Sequence, residues 1–299
     1  MQREWSQIQL TRPKVLVRGA GDLATGVIQA LVRSGARVLA LEVKQPSAIR
    51  RSVALSEAIY RGHMRVEDIE AKWIDGEAKD PRLMKDIEAL WAKAQVPVLV
   101  DPQMQSLAWF EPDILVDAIL AKKNLGLKSD LAPLTIALGP GFSAPKDADL
   151  VIETMRGHQL GRLIFEGSAL PNTGLPGLIS GRAKERVLYT PFAGRFMPQK
   201  KIGDWVQEGE CIAYVEAIET PEVRGDILAP FEGLVRGLLP EGYLAPEHMK
   251  CGDIDPRTAE KDNCFTISDK ARALGHAVVT GIWALRYRPS SRPRGITKL

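Results

Sequence analysis

The chain has 299 residues, 45% hydrophobic and 26% charged, proportions that exclude a fibrous or wholly disordered protein and suffice for about two hydrophobic cores. Its net charge of +3 is smaller than that of one short segment: Arg286, Arg288, Arg292, Arg294 and Lys298 close the chain with no acid among them, and without these five the remainder nets −2. Basicity confined to a Pro-, Ser- and Arg-rich tail excludes nucleic acid as the expected partner, and no apolar run reaches the roughly 18 residues of a membrane span.

Residues 1–13 lack the apolar stretch of a signal peptide, so a cytoplasmic protein is expected. The first predicted strand, Val15-Leu16-Val17, runs into Arg18-Gly19-Ala20-Gly21-Asp22. Leu23, Val27, Ile28 and Leu31 then recur at helical spacing until Gly35 stops the helix. A second strand spans residues 37–42, and strand, glycine turn, helix and strand within about 30 residues make a parallel βαβ unit. Residues 48–59 and 83–93 read as helices, and 96–100, 114–116, 134–138 and 150–153 as strands. This alternation predicts an α/β fold with a Rossmann-like, doubly wound, mainly parallel sheet over residues 1–185.

Near residue 187 the texture changes to short strands punctuated by Gly and Pro, and the chain repeats itself. Pro191-Phe192-Ala193-Gly194 returns as Pro230-Phe231-Glu232-Gly233, a shift of 39 that also carries Gly203 onto Gly242 and Glu208 onto Glu247. Each half looks like half of a biotinyl/lipoyl-type barrel-sandwich hybrid, which predicts an inserted small all-β domain over 186–259. In such carriers a lysine between the halves bears the cofactor; residues 216–226 (EAIETPEVRGD) contain none, so no biotin or lipoyl group is expected and the unit reads as a spacer or docking surface. From 260 to 299 the helical period returns. Ser268-Asp269 offers an N-cap, and Ala271, Leu274, Val278, Ile282 and Leu285 form one stripe that packs back on the first sheet, followed by the basic tail.

Gly19-x-Gly21-x-x-Ala24 stands between a strand and a helix, the context in which a dinucleotide fingerprint carries meaning. Gly19 permits the tight turn, Gly21 lets backbone amides approach a phosphate, and Ala24 keeps helix and strand close. Glu42, at the end of the next strand, is placed to read a ribose diol. Asp22 competes for the same helix N-terminus, and its structural alternative is a cap paired with Arg18. Four further polar loops follow predicted strands. They carry Lys122-Lys123-Asn124, the turn Gly139-Pro140-Gly141, Arg156 with His158, and Asn172-Thr173. Taken singly each reads as a capped or solvated turn; together they point to one cleft for a small anion. His158 and Lys122 are the acid/base candidates. Cys211, Cys251 and Cys264 are odd in number and far apart, and with four scattered histidines they give no metal-ligand spacing, so no metal site is expected.

VRGAGDLATGV (17–27), QPSAIRRSVALSEAIYRG (45–62), VDAILAKKNLG (116–126), LGPGFSAPKDADLVIETMRGHQLGR (138–162), GSALPNTGLPG (167–177) and CFTISDKARALG (264–275) together resemble the YqeB-type family of selenium-dependent molybdenum hydroxylase system proteins. More distantly they resemble XdhC-type maturation factors. The resemblance implies an accessory or maturation protein, with an apo molybdenum hydroxylase as partner and a molybdopterin-type cofactor or a nucleotide as ligand. Two other readings stay open. One is an NAD(P)-dependent oxidoreductase with His158 or Lys122 as proton donor; the other is a non-catalytic scaffold docking the apo-hydroxylase. Catalysis and assembly into a homo-oligomer are also left open.

Overall fold

The computed structural model describes residues 12–172, 174, 181–182 and 184–286. Up to residue 168 the chain forms β1 (Lys14–Arg18), α1 (Asp22–Arg33), β2 (Arg37–Glu42), α2 (Ala58–Arg61), β3 (His63–Val66), β4 (Ile69–Ile74), α3 (Leu83–Ala92), β5 (Gln95–Val100), α4 (Leu107–Phe110), β6 (Ile114–Asp117), β7 (Leu134–Leu138), β8 (Ser143–Ala144), β9 (Leu150–Ile152), β10 (Leu163–Ile164) and β11 (Gly167–Ser168). Nine of the strands make one sheet in the order β10-β9-β7-β6-β1-β2-β5-β4-β3. Its central strands are near-continuous aliphatic runs because both faces are covered. Alternate residues serve opposite layers: Val15, Val17, Val38, Ala40, Ile114 and Val116 pack toward α1, while Leu16, Leu39, Leu41, Leu99 and Leu115 pack toward α3 and α4.

The Rossmann-like expectation is corrected by this topology. The sheet is mixed, with antiparallel edges where β10 meets β9 and β3 meets β4. β5 lies between β2 and β4, out of chain order, and no α-helix joins β6 to β7 or β7 to β9 among the described residues. Those connections are Gly-, Pro- and Asp-containing loops held by side-chain-to-backbone bonds, as where Ser143 N–H donates to Asp147 at 2.8 Å. Residues 48–59 are likewise no single helix but two turns of 3-10 helix followed by the one-turn α2. Their backbone donors are spent on tertiary partners: Ser56 N–H on Ala20 O at 2.8 Å and Leu55 N–H on the Thr25 hydroxyl at 3.0 Å.

Beyond residue 186 come β12 (Val187–Tyr189), β13 (Gly194–Pro198), β14 (Trp205–Val206), β15 (Cys211–Glu216), β16 (Arg224–Leu228), β17 (Gly233–Leu238), β18 (Leu244–Ala245) and β19 (Lys250–Asp255). The 39-residue shift maps the start of β13 onto that of β17, β14 onto β18 and β15 onto β19. In place of the expected biotinyl/lipoyl-type barrel-sandwich domain, the strands form two four-stranded antiparallel sheets, β12-β19-β17-β14 and β16-β15-β13-β18. Each sheet takes strands from both copies of the repeat. The core between them is filled by matching pairs at the same shift: Leu188 and Ile227, Phe196 and Val235, Ile212 and Cys251, Val215 and Ile254. Neither copy can bury its apolar face alone.

The chain returns through α5 (Asp269–Arg286), whose stripe of Ala271, Leu274, Val278, Ile282 and Leu285 joins the core shared with α1. The Ser268 hydroxyl accepts from Ala271 N–H at 3.2 Å, which caps the helix. No helix among the described residues is long and apolar enough to cross a membrane.

Candidate functional site

The Gly19–Asp22 turn is built from the backbone outward. Gly19 has φ +102°, and a Cβ there would sit 3.2 Å from the backbone of Ala118, so the β1 exit lies directly on the β6 exit. Ala20 N–H donates to Glu42 Oε2 and Val43 N–H to Glu42 Oε1, each at 2.9 Å. Both carboxylate oxygens of Glu42 thus brace the ends of β1 and β2, and burial pushes its pKa up against the pull of those two amides. Gly21 then caps α1 with φ −69°, and no side chain bonds to the helix end. The first-turn amides of α1 are left with the helix dipole and no internal partner.

These elements floor a cleft of about 530 Å³, within the range of small-molecule sites. Gly19, Gly21, Asp22, Ala24 and Glu42 line it from the large sheet, and Arg156 enters from the loop after β9. Arg236, Lys250 and Asp253 come from β17 and β19, Arg50 from the 46–50 segment, and Ser268 and Lys270 from the start of α5. The cleft therefore lies where the mixed sheet, one of the small sheets and the last helix meet.

Its charges are arranged unequally. Asp22 accepts from Arg50 Nη1 with both oxygens, at 3.1 and 3.0 Å, so its partner is Arg50. Arg18 is buried and bonded instead to Asp117 at 3.0 Å, Pro102 O at 3.2 Å and Leu125 O at 2.9 Å. Arg156 pairs with Asp269 at 2.7 Å, and Arg236 with Asp253 at 3.4 Å. Lys250 and Lys270 line the cleft with no hydrogen bond or ion pair among the described residues. Lys250 is exposed at the open face of the cleft, while neighbouring protein atoms still desolvate its ammonium group. Desolvation lowers its pKa first; Arg186 and Arg236 add to that, and Asp253 and Asp22 oppose it. Desolvation also leads for Lys270, with Arg156 adding to it and Asp22, Glu153 and Asp269 opposing.

The other expected site residues are not among these lining groups. Lys122 and Lys123 are exposed on the loop after β6, and Lys122 Nζ lies 3.2 Å from the side-chain amide of Asn172, which accepts from it when the amide is turned to present its oxygen. Asn124 closes its own loop, accepting from Gly126 and Leu127 N–H at 2.9 and 2.7 Å. Gly139 and Gly141 form a turn packed on Thr154 and on the Lys123 backbone. His158 is exposed and absent from the cleft lining. Thr173 lies outside the described residues. No group of three or more His, Cys, Asp or Glu among the described residues could hold a metal ion.

Sequence reasoning missed Arg236, Lys250, Asp253, Ser268 and Lys270 as cleft-lining groups. A signal existed in the repeat: at a shift of 39, Met197, Cys211 and Tyr214 become Arg236, Lys250 and Asp253. The copies diverge from neutral to charged at the positions where the second copy borders the cleft. Cys211 and Tyr214 line a separate depression of about 360 Å³ on the first copy.

No protein-family model matches the chain. It is 43% identical over 274 residues to YqeB of Escherichia coli (strain K12), a match covering 92% of this chain and 48% of that protein. The chain thus spans about half the length of that curated relative. Among solved structures it is similar to a succinylglutamate desuccinylase/aspartoacylase from Rhodobacter sphaeroides at 16% identity, with 83% of this chain and 87% of that chain covered and a TM-score of 0.28. It is also similar to an aspartoacylase family protein from Mesorhizobium loti, at 13% identity, 83% and 86% coverage and a TM-score of 0.29. The resemblance to YqeB-type proteins carried by the motifs is supported by this identity along nearly the whole of the present chain.

Proposed function

We propose that the protein holds a phosphorylated small molecule, a molybdopterin-type cofactor or a nucleotide, in the cleft beside the Gly19–Asp22 turn, and that it serves as an accessory factor for selenium-dependent molybdenum hydroxylases. The observation that supports binding is the uncapped amino end of α1 facing a cleft in which two lysines make no ion pair among the described residues. An anion satisfies both features at once. The accessory role rests on the motif resemblance, and the apo-hydroxylase is the partner it supplies.

The test is to purify the chain without added ligand, release bound small molecules by denaturation, and identify them by mass spectrometry alongside elemental analysis for molybdenum and selenium. A phosphorylated pterin or nucleotide, lost in Gly21→Trp, is the expected result. Release of no phosphorylated compound, together with no binding of nucleotides or pterin phosphates added back, overturns the reading.

A further inference from the structure

The amino ends of α1 and α5 both open on the cleft, since Gly21 and Asp22 line it from one helix and Ser268 and Lys270 from the other. Contacts of Gly26 with Ala271 and of Ala30 with Gly275 advance in the same direction along both helices, so they run parallel with their amino ends side by side. Each such end is equivalent to roughly half a positive charge. Parallel packing sets two of them together, which is unfavourable until an anion arrives.

The acids of the two first turns are already occupied: Asp22 by Arg50 and Asp269 by Arg156. Arg236 is held by Asp253 at 3.4 Å and Asp255 at 4.0 Å, and both oxygens of Glu42 accept backbone amides. Lys250 and Lys270 remain as two ammonium groups with no ion pair or hydrogen bond among the described residues, one from a strand and one from a helix, and the nearby carboxylates act on them only through longer-range attraction. An independent feature points the same way. Ser56 also lines the cleft, at 0% exposure, and its hydroxyl has no hydrogen-bond partner, a state buried polar groups rarely keep without a ligand or water.

We propose that the cleft is built for a group of at least two negative charges, a phosphate monoester or a pyrophosphate, seated between the amino ends of α1 and α5 with Lys250 and Lys270 as its counter-ions. This deepens the ligand-binding reading above and rests on it. Two ammonium groups match a dianion; a monocarboxylate leaves one of them uncompensated in a partly desolvated site. Because the groups come from β19, α5 and the β1–α1 turn, such a ligand ties three parts of the fold together, and its binding raises the melting temperature.

Titration calorimetry with inorganic pyrophosphate tests this on the full chain, using Lys250→Met, Lys270→Met, the double variant, and Lys122→Met as a surface control. Circular dichroism and ligand-free melting establish that each variant folds. The expected result is binding by the wild type and by Lys122→Met, weakening of roughly tenfold or more in each single variant, and no measurable binding in the double variant. Parallel titrations with adenosine diphosphate and with a pterin phosphate monoester separate the two sources of the dianion. Unchanged pyrophosphate affinity in the folded double variant overturns the assignment, as does absence of pyrophosphate binding by the wild type. If the double variant still copurifies with a phosphorylated ligand that Gly21→Trp loses, this inference falls while the cleft reading stands; if neither variant nor wild type carries or binds one, both fall.

Discussion

Gly26 of α1 and Gly275 of α5 meet at backbone contact. A Cβ on Gly26 would lie 2.8 Å from the Ala271 Cβ, and one on Gly275 would lie 2.9 Å from the Ala30 Cβ, with the backbone oxygens of Ala271 and Gly26 closer still. The missing side chains bring the two helix axes together, which places Ser268 and Lys270 over the Gly19–Asp22 turn. Gly26→Ala and Gly275→Ala are each expected to destabilise the chain by about 1–3 kcal/mol through overpacking, read as a lower urea midpoint. Gly21→Ala is the matched control. With φ −69° and no atom within 4 Å of a Cβ, it should stay within about 0.5 kcal/mol of the wild type.

The same open space makes Gly21 the position for blocking the cleft. Gly21→Trp puts an indole among the lining residues while the turn keeps its backbone. The expected outcome is a folded protein with unchanged circular dichroism and pyrophosphate affinity reduced by roughly tenfold or more. Pyrophosphate affinity equal to that of the wild type in calorimetry would place the ligand elsewhere.

Lys250 and Lys270 carry pKa values below the ordinary 10.5. Lys250 faces Asp253, Arg186, Arg236 and Asp22; Lys270 faces Arg156, Asp22, Glu153 and Asp269. Their charge is lost as pH rises through these lowered values, earlier than for a solvated lysine. Pyrophosphate affinity should therefore decline on the alkaline side before an ordinary lysine titrates, and the decline should be shallower in Lys250→Met and Lys270→Met. A titration series from about pH 7 to about pH 10 checks the sign.

Arg18 and Asp117 form a pair at 3.0 Å, exposed by only 6% and 2% at their side chains. Burial pushes the Asp117 carboxyl up even beside the guanidinium, so the pair is held by geometry and by the two further carbonyl acceptors of Arg18. Asp117→Asn leaves a buried cation without its counter-charge and is expected to cost about 3–5 kcal/mol, measured by chemical denaturation. It joins the exits of β1 and β6, so the cleft floor should loosen with it.

Lys122 and Asn124 belong to a loop whose polar groups are not in the cleft lining. Asn124→Ala removes three hydrogen bonds within residues 124–127 and should destabilise the protein by about 1–2 kcal/mol, while pyrophosphate affinity stays near wild type in calorimetry. A large loss of affinity without loss of stability would bring this loop into the binding site.

The βαβ start was legible because its signals are local. The aliphatic runs of β1 and β2, the helical spacing after Gly21 and the stop at Gly35 are each decided within a few residues. The stretch 48–59 misled because its helical spacing is real, but its donors bond to Ala20 and Thr25, and Ser52 and Arg50 reach the carbonyls of Cys264, Asn263 and Thr266. Tertiary bonds outcompeted local ones there. Lys122 and Arg156 looked alike as cations after strands and both are exposed, and only the path of each loop brings Arg156 into the cleft lining and leaves Lys122 out of it.

By itself the sequence determined the aliphatic strands, the glycine turn that opens α1, the 39-residue repeat and the capped last helix, all consequences of short-range spacing and backbone chemistry. Tertiary structure alone decided the order of the mixed sheet, the interleaving of the two repeat copies into two sheets, and the placing of Lys250 and Lys270 in the lining of one cleft. Those depend on which surfaces bury one another. Lys250 and Lys270 stand 20 residues apart in the chain, on a strand of one layer and a helix of another. They line one cleft because the Gly26–Gly275 contact lets α5 lie on α1 with both amino ends at its edge.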